Sequence, residues 1–300
     1  MGDAKTVAVM TESANAPRFN PGPLCLDAGD FRHRLDFLKS QARAVRRWTI
    51  AVSGHAGTGQ VGPALATVDL LTALYFHTLR VNPVLPTWIE RDRFILSRGD
   101  VTAALYATLA ARGFSRAETL WTYMQNGSLL TAQATATVAG VELSTGVPGH
   151  GLPVGVGMAL AAKRYQTEYR AFVMLSRADC DEGATWEAAL VAARLDLDNL
   201  IAVVDEDHAD AAGAKHETAH GIALEAQWRS VGWNVKEVDG HDLGAICGGL
   251  DHLNLHAGRP GVLIAKTTSG KGVSFMEGRP EWRDPVPSAE DVAKALEELS

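Results

Sequence analysis

Residues 172–213 read FVMLSRADCDEGATWEAALVAARLDLDNLIAVVDEDHADAAG, a stretch in which two short apolar runs flank a helical pattern. The runs at 172–175 and 200–204 have the length and composition of buried strands. Residues 182–195, between the runs, carry apolar side chains near helical spacing. Two buried strands joined by an amphipathic helix predict a β-α-β unit of a parallel sheet.

Charged residues follow both predicted strands. They are Arg177, Asp179, Asp181 and Glu182 after the first run, and Asp205, Glu206 and Asp207 after the second. Ligands of parallel α/β sheets bind beyond the carboxyl ends of the strands. The sequence therefore predicts a binding site at this edge, with Asp205 and Glu206 interpreted as solvated loop charges.

The same alternation continues through the rest of the chain. Further strands are predicted at 93–96, 234–238 and 261–266, and further helices at 30–52, 63–79, 101–112, 216–231, 243–253 and 288–299. The segment SGHAG at 53–57 is predicted to end the first helix, and a glycine-rich turn within 141–165 leads into another helix. We predict one α/β domain over residues 30–300, with a doubly wound, mostly parallel sheet and helices on both faces. An N-terminal arm is predicted over residues 1–29.

Composition narrows the class of protein. The 300 residues are 46% hydrophobic and 21% charged, as is typical of a globular protein, and the net charge of −7 argues against nucleic acid or anionic membrane as main partner. No apolar run is as long as the roughly 18 residues of a membrane span, and the N-terminus lacks a signal-peptide pattern. The three cysteines show no metal or redox spacing. A cytoplasmic location is expected.

Five segments, in this order, resemble the transketolase family. They are SGHAGTGQVGPALATVDLLTALYFHTLRVNP at 53–83, WIERDRFILSRG at 88–99, STGVPGHGLPVGVGMALAAK at 144–163, WNVKEVDGHDL at 233–243 and LIAKTTSGKGVSFMEGRPEW at 263–282. The resemblance implies a thiamine-diphosphate-binding fold, with thiamine diphosphate and Mg²⁺ as cofactors. It also implies transfer of a two-carbon ketol unit, or a related carboligation, on a small sugar or keto substrate.

The resemblance also implies a partner. Full transketolases continue into a pyrimidine-binding domain where this sequence ends, so we expect the N-terminal subunit of a split, two-chain enzyme. A separate C-terminal subunit would supply the glutamate that activates the cofactor. Because the family's site lies between subunits, a homo- or hetero-oligomer such as a heterotetramer is expected.

Site residues follow from the motif positions. His55 resembles a family histidine near the reacting centre and Glu182 a glutamate near the subunit interface, so both are catalytic candidates. The loop that passes the cofactor corresponds to Gly146, Val147, Pro148, Gly149 and Gly151. Further cofactor contacts are expected from Arg177, Ala178, Asp207, Ala209 and Arg283.

The chain departs from the family at the metal motif. Ser176-Arg177-Ala178 stands where the family has Gly-Asp-Gly, and Asp207 where it has Asn. Guanidinium has no lone pair to give a metal. Arg177 could pair with Asp207, Arg177 could bind a phosphate directly, or Asp179 could join Asp207 as a displaced metal ligand.

Histidine positions of the family are also changed. Three histidine positions of the family have other residues here, at Gly99-Asp100, at Ala132 or Gln133, and at Trp282-Arg283-Asp284. Two interpretations other than a transketolase-like enzyme therefore remain open. The chain could be a non-catalytic subunit that has lost the cofactor, or a redirected enzyme that holds an anionic substrate at Arg177 and Arg283.

Overall fold

Five strands form a single parallel sheet in the computed structural model, which describes residues 31–207, 223–254 and 258–300. The strands are β1 (Arg93–Leu96), β2 (Ala171–Ser176), β3 (Leu200–Asp207), β4 (Asn234–Asp239) and β5 (Gly261–Thr267). Their order in the sheet is β1-β2-β3-β5-β4, and each neighbouring pair is parallel. The predicted doubly wound α/β fold is confirmed.

Helices cover both faces of this sheet. They are α1 (Phe31–Ala56), α2 (Val61–Ala66), α3 (Val68–Ala73), α4 (Thr102–Arg112), α5 (Gly151–Tyr165), α6 (Gly183–Arg194), α7 (Leu224–Ser230), α8 (Leu243–Asn254) and α9 (Ala289–Glu298). Alternate residues of β2 belong to different hydrophobic cores, Phe172 and Met174 to one, Val173 and Leu175 to the other. Burial on both faces explains why this strand is a continuous apolar run rather than an alternating one.

The first helix does end within SGHAG, but four residues later than the predicted boundary at residue 52, and Gly57, which follows it, has a φ of 67°. α1 continues to Ala56, and its Gly54 lies against α9. A Cβ at Gly54 would lie 2.5 Å from Cγ2 of Val292, so the glycine permits close approach of two helices and does not break one.

Other observed element boundaries differ less from the predicted ones. The helix predicted at 63–79 is divided into α2, α3 and a π-helical turn at Leu74–Thr78. The predicted arm at 1–29 and the first part of the helix predicted at 216–231 lie outside the described residues. Within the described ranges, no helix combines the length and the apolar character that crossing a bilayer requires.

Close packing of α5 on the sheet gives a testable prediction. A Cβ at Gly155 would lie 2.4 Å from Cγ2 of Val173 on β2, whereas a Cβ at Gly157 would meet nothing within 4 Å. Gly155→Ala should therefore lower the free energy of unfolding by about 1–3 kcal/mol through overpacking. Gly157→Ala, in the same helix, should leave it unchanged or raise it by up to about 1 kcal/mol. Urea denaturation of the two variants measures this, and equal effects would refute the packing argument.

Candidate functional site

A cavity of about 550 Å³ lies at the carboxyl ends of β1, β2 and β3. Its lining carries three guanidinium groups and three carboxylates, which belong to Arg98, Arg177, Arg283, Asp100, Asp205 and Asp207. The remaining lining comes from Gln60, Gly99, Ala132, Gln133, Gly146, Pro148, Ser176 and Ala178. This cavity, called the cleft below, is at the edge where the charged strand ends predict a binding site.

Asp179 joins the three segments that form the floor of the cleft. Its Oδ1 accepts hydrogen bonds from Oγ of Ser97 (2.5 Å) and from the backbone N–H of Gly149 (2.8 Å). Its Oδ2 accepts from the backbone N–H (2.7 Å) and Oγ (2.6 Å) of Ser176. The side chain is fully buried, and two bonds on each oxygen occupy its acceptor capacity. Asp179, predicted as a displaced metal ligand, thus has no free oxygen in this arrangement and anchors the loops instead.

The glycine-rich loop at the start of α5 lies along this anchor. Gly146 and Pro148 line the cleft, and Gly149 is held by Asp179. The backbone N–H of Gly151 donates to Oγ of Ser97 at 3.2 Å, which joins the loop to the end of β1. Val147 is exposed and lies in a neighbouring cavity. Two of the five predicted loop residues therefore line the cleft.

Arg98, Asp100 and Asp205 form a buried charged cluster beneath the cleft. The Nε and Nη2 of Arg98 donate to both carboxylate oxygens of Asp100, at 2.7 and 2.8 Å. Its Nη1 donates to Asp205, which also accepts from the hydroxyl of Thr267 at the end of β5. Asp205 is a buried residue of β3, so its interpretation as a solvated loop charge was wrong.

The two carboxyl groups of this cluster differ in pKa. Burial raises the pKa of Asp205 above its ordinary value, although Arg98 opposes the shift. Burial would also raise the pKa of Asp100, but the charge and hydrogen bonds of Arg98 outweigh it and hold that pKa below its ordinary value. The donors of Arg98 are thus used mainly within the protein.

Arg177 and Arg283 line the same cleft with fewer partners. Arg177 is 7% exposed, and its Nη1 donates to Oδ1 of Asp181 at 3.0 Å. Arg177 therefore forms an ion pair with Asp181. The Nη2 of Arg283 lies 3.8 Å from Oδ2 of Asp100, an electrostatic contact longer than a hydrogen bond.

The remaining predicted residues are dispersed. Ala178 and Asp207 line the cleft with Arg177. Glu182 is exposed and lies beside Gly149. A Cβ built on Gly149 would be 2.8 Å from the Cβ of Glu182. His55 is exposed in the last turn of α1, where its ring packs edge-on against Trp121 at 5.4 Å between centroids. Ala209 lies outside the described residues.

The cleft does not fit the magnesium ion that the resemblance implies. Mg²⁺ needs several hard oxygen ligands in a near-octahedral shell. Arg177 offers only N–H donors, and the oxygens of Asp179 are occupied, so of the two predicted metal ligands only Asp207 remains for the cleft. In the part of the chain that the structure describes, no three His, Cys, Asp or Glu side chains group as a metal site. Guanidinium groups do suit phosphate oxygens, so an anionic group fits where the metal does not.

Sequence reasoning missed the cluster around Arg98. The residue follows β1, as Arg177 follows β2, and reading the end of this third strand would have pointed to it. Its partner Asp205 is 107 positions away in the chain, so no local pattern could reveal the pairing.

Comparison with known proteins gives consistent matches. Residues 38–299 match the family described as transketolase, thiamine diphosphate binding domain. The chain is 37% identical over 267 residues to an apulose-4-phosphate transketolase subunit of Phocaeicola vulgatus, covering 89% of this chain and 95% of that one. It is 35% identical over 243 residues to 6-deoxy-6-sulfo-D-fructose transketolase subunit SqwG of a Clostridium species, covering 81% and 88%.

A solved structure gives the same result for the fold. The chain superposes on the transketolase of Campylobacter jejuni with a TM-score of 0.81 and 29% identity. The superposition covers 88% of this chain but only 43% of the length of that enzyme.

Proposed function

This chain belongs to the transketolase family, and we propose that it is the N-terminal-type subunit of a two-chain, thiamine-diphosphate-dependent transketolase. The observation that carries the proposal is its match over nearly the full length of relatives named as transketolase subunits. The reaction would be transfer of a two-carbon ketol unit between small sugar or keto substrates. A separate C-terminal-type chain would complete the site.

The cleft is the proposed position of the cofactor's diphosphate. Arg177 and Arg283 would hold the phosphate oxygens, and Gly146 and Pro148 would border them. When bound, thiamine diphosphate supplies a carbon nucleophile and an electron sink. His55 and Glu182 are exposed in this chain, and we propose that both act at the boundary with the partner, His55 in proton transfer.

An exposed apolar surface on α6 supports a partner chain. Leu190 and Val191 on α6 are 56% and 46% exposed, and Leu195, just after that helix, is 41% exposed. α6 itself begins directly after Glu182, beside Gly149 of the glycine-rich loop. Apolar side chains grouped in this way are typical of a protein interface.

We expect Leu190→Asp combined with Val191→Asp to abolish association, because two charges would be desolvated at the interface. The test is co-purification of the tagged chain with a partner identified as a C-terminal-type transketolase chain, followed by an assay of ketol transfer. Ala293→Asp is the control, since Ala293 is exposed on α9, which packs against α1. Its association and activity should be unchanged. A chain that forms no such complex, or a complex without ketol transfer, would refute the proposal.

A further inference from the structure

We propose that the cleft binds the diphosphate group of its ligand through fixed guanidinium groups, without a divalent cation. The inference rests on the proposed function, because it concerns the ligand of the same cleft. The chemical class is a diphosphate ester, and Arg177 and Arg283 are the residues that would hold it. The disagreement between the donors of the cleft and the needs of Mg²⁺ is its starting point.

Arg177 is the first of the two residues on which the inference depends. Its side chain is more than nine-tenths buried and lines the cleft, yet Asp181 is its one hydrogen-bond acceptor within the described ranges. Asp181 is itself half exposed and binds only Nη1. Guanidinium has five N–H donors, so most of those of Arg177 have no acceptor among the residues that the structure describes. A buried guanidinium in this state gains most from an anion that accepts two bonds at once.

Arg283 supplies a second uncommitted cation. Its separation of 3.8 Å from Asp100 leaves Asp100 bound chiefly to Arg98, which donates two short hydrogen bonds to it. Arg98 is engaged by Asp100 and Asp205. Arg177 and Arg283 are therefore the two guanidinium groups of the cleft with N–H donors available for a ligand.

The charged groups of the cleft are engaged unequally. The three guanidinium groups of the lining are matched in number by the carboxylates of Asp100, Asp205 and Asp207, so the lining carries no net charge. Arg98 pairs with Asp100 and Asp205. A divalent cation added beside Arg177 would meet like-charge repulsion, whereas a diphosphate would be attracted there.

The test is calorimetric titration of thiamine diphosphate, and separately of inorganic diphosphate, into the purified chain and its two-chain complex. Each titration is done in EDTA and again with Mg²⁺. We expect binding in EDTA. Mg²⁺ should leave the Kd unchanged, or raise it by competing for the diphosphate. Binding that requires Mg²⁺, or no binding in either condition, would overturn the inference.

Variants locate the binding groups. Arg177→Ala and Arg283→Ala should each weaken binding by roughly tenfold or more, the usual loss for a hydrogen-bonded charge pair. The control Arg279→Ala, at an exposed arginine four positions before Arg283, should have no effect. Equal affinity in Arg177→Ala would contradict the assignment. The combined variant Ser176→Gly, Arg177→Asp, Ala178→Gly and Asp207→Asn should make binding dependent on Mg²⁺.

The outcomes separate this inference from the proposed function. Metal-dependent binding in a complex that transfers ketol units would overturn only the inference. Metal-free diphosphate binding by a chain that forms no complex would overturn only the proposed function.

Discussion

Asp179→Ala should cause one of the two largest losses of stability in this chain, about 3–5 kcal/mol in the free energy of unfolding, because several donors lose their acceptor at once. The substitution leaves the buried donors of Ser97 and Gly149, and the half-buried donors of Ser176, without their acceptor. Unsatisfied buried donors cost their full desolvation, which exceeds the value of the bonds themselves. Because these donors belong to the segments that form the cleft floor, diphosphate binding should be lost together with stability.

Asp179→Asn distinguishes the hydrogen-bonding role from simple volume. The amide keeps the shape of the carboxylate but places an NH₂ donor against either the Gly149 or the Ser176 backbone N–H. We therefore expect nearly as large a loss as in Asp179→Ala, measured by urea denaturation and by calorimetry with inorganic diphosphate. Asp36→Ala, at an exposed position of α1, is the control and should not destabilise the chain. An Asn variant as stable as the original chain would disprove the anchoring role.

The sequence predicts the sheet of this protein well because its strands are buried on both faces. Continuous apolar runs locate β2 and β3, and the observed strands extend the predicted ones by at most three residues. The end of the helix containing Gly54 was harder to predict. In the sequence alone, a glycine that breaks a helix cannot be distinguished from one that allows two helices to pack closely. Only the position of Val292, 238 residues later, separates the two cases.

The site was predictable in location but not in its interactions. The strand-end rule placed Arg177 and Asp207 at the cleft. It could not show that Asp179, two residues from Arg177, faces inward to four donors, because the short 3₁₀ turn at Ala178–Asp181 sets that direction. Nor could it show that Asp205 is buried, since a charge at a strand end is usually solvated and becomes buried only when a partner such as Arg98 is present.

Arg98→Met should lower the free energy of unfolding by about 3–5 kcal/mol near neutral pH, because it leaves Asp205 buried without its cation. Asp205→Leu alone should also destabilise the chain, since Arg98 then keeps only Asp100. The double variant should be more stable than the sum of the two losses predicts, by about 1–3 kcal/mol, because it removes both buried charges. Strict additivity would mean that the pair does not interact. Arg116→Met, at an exposed arginine paired with an exposed Glu118, is the matched control and should leave stability unchanged.

The loss in Arg98→Met should depend on pH in a defined direction. Burial raises the pKa of Asp205 in the folded state, so its contribution to stability is greatest when it is protonated and falls as pH rises above its ordinary value of 3.8. Without Arg98 that pKa rises further, and the fall extends over a wider range of pH. Asp100 acts in the same direction, because its lowered pKa stabilises the original chain above pH 3.8 and Arg98 is its cause. The difference between Arg98→Met and the original chain should therefore be small near pH 4 and increase towards pH 7 in urea denaturation, and a constant difference would show that Arg98 acts through packing rather than charge.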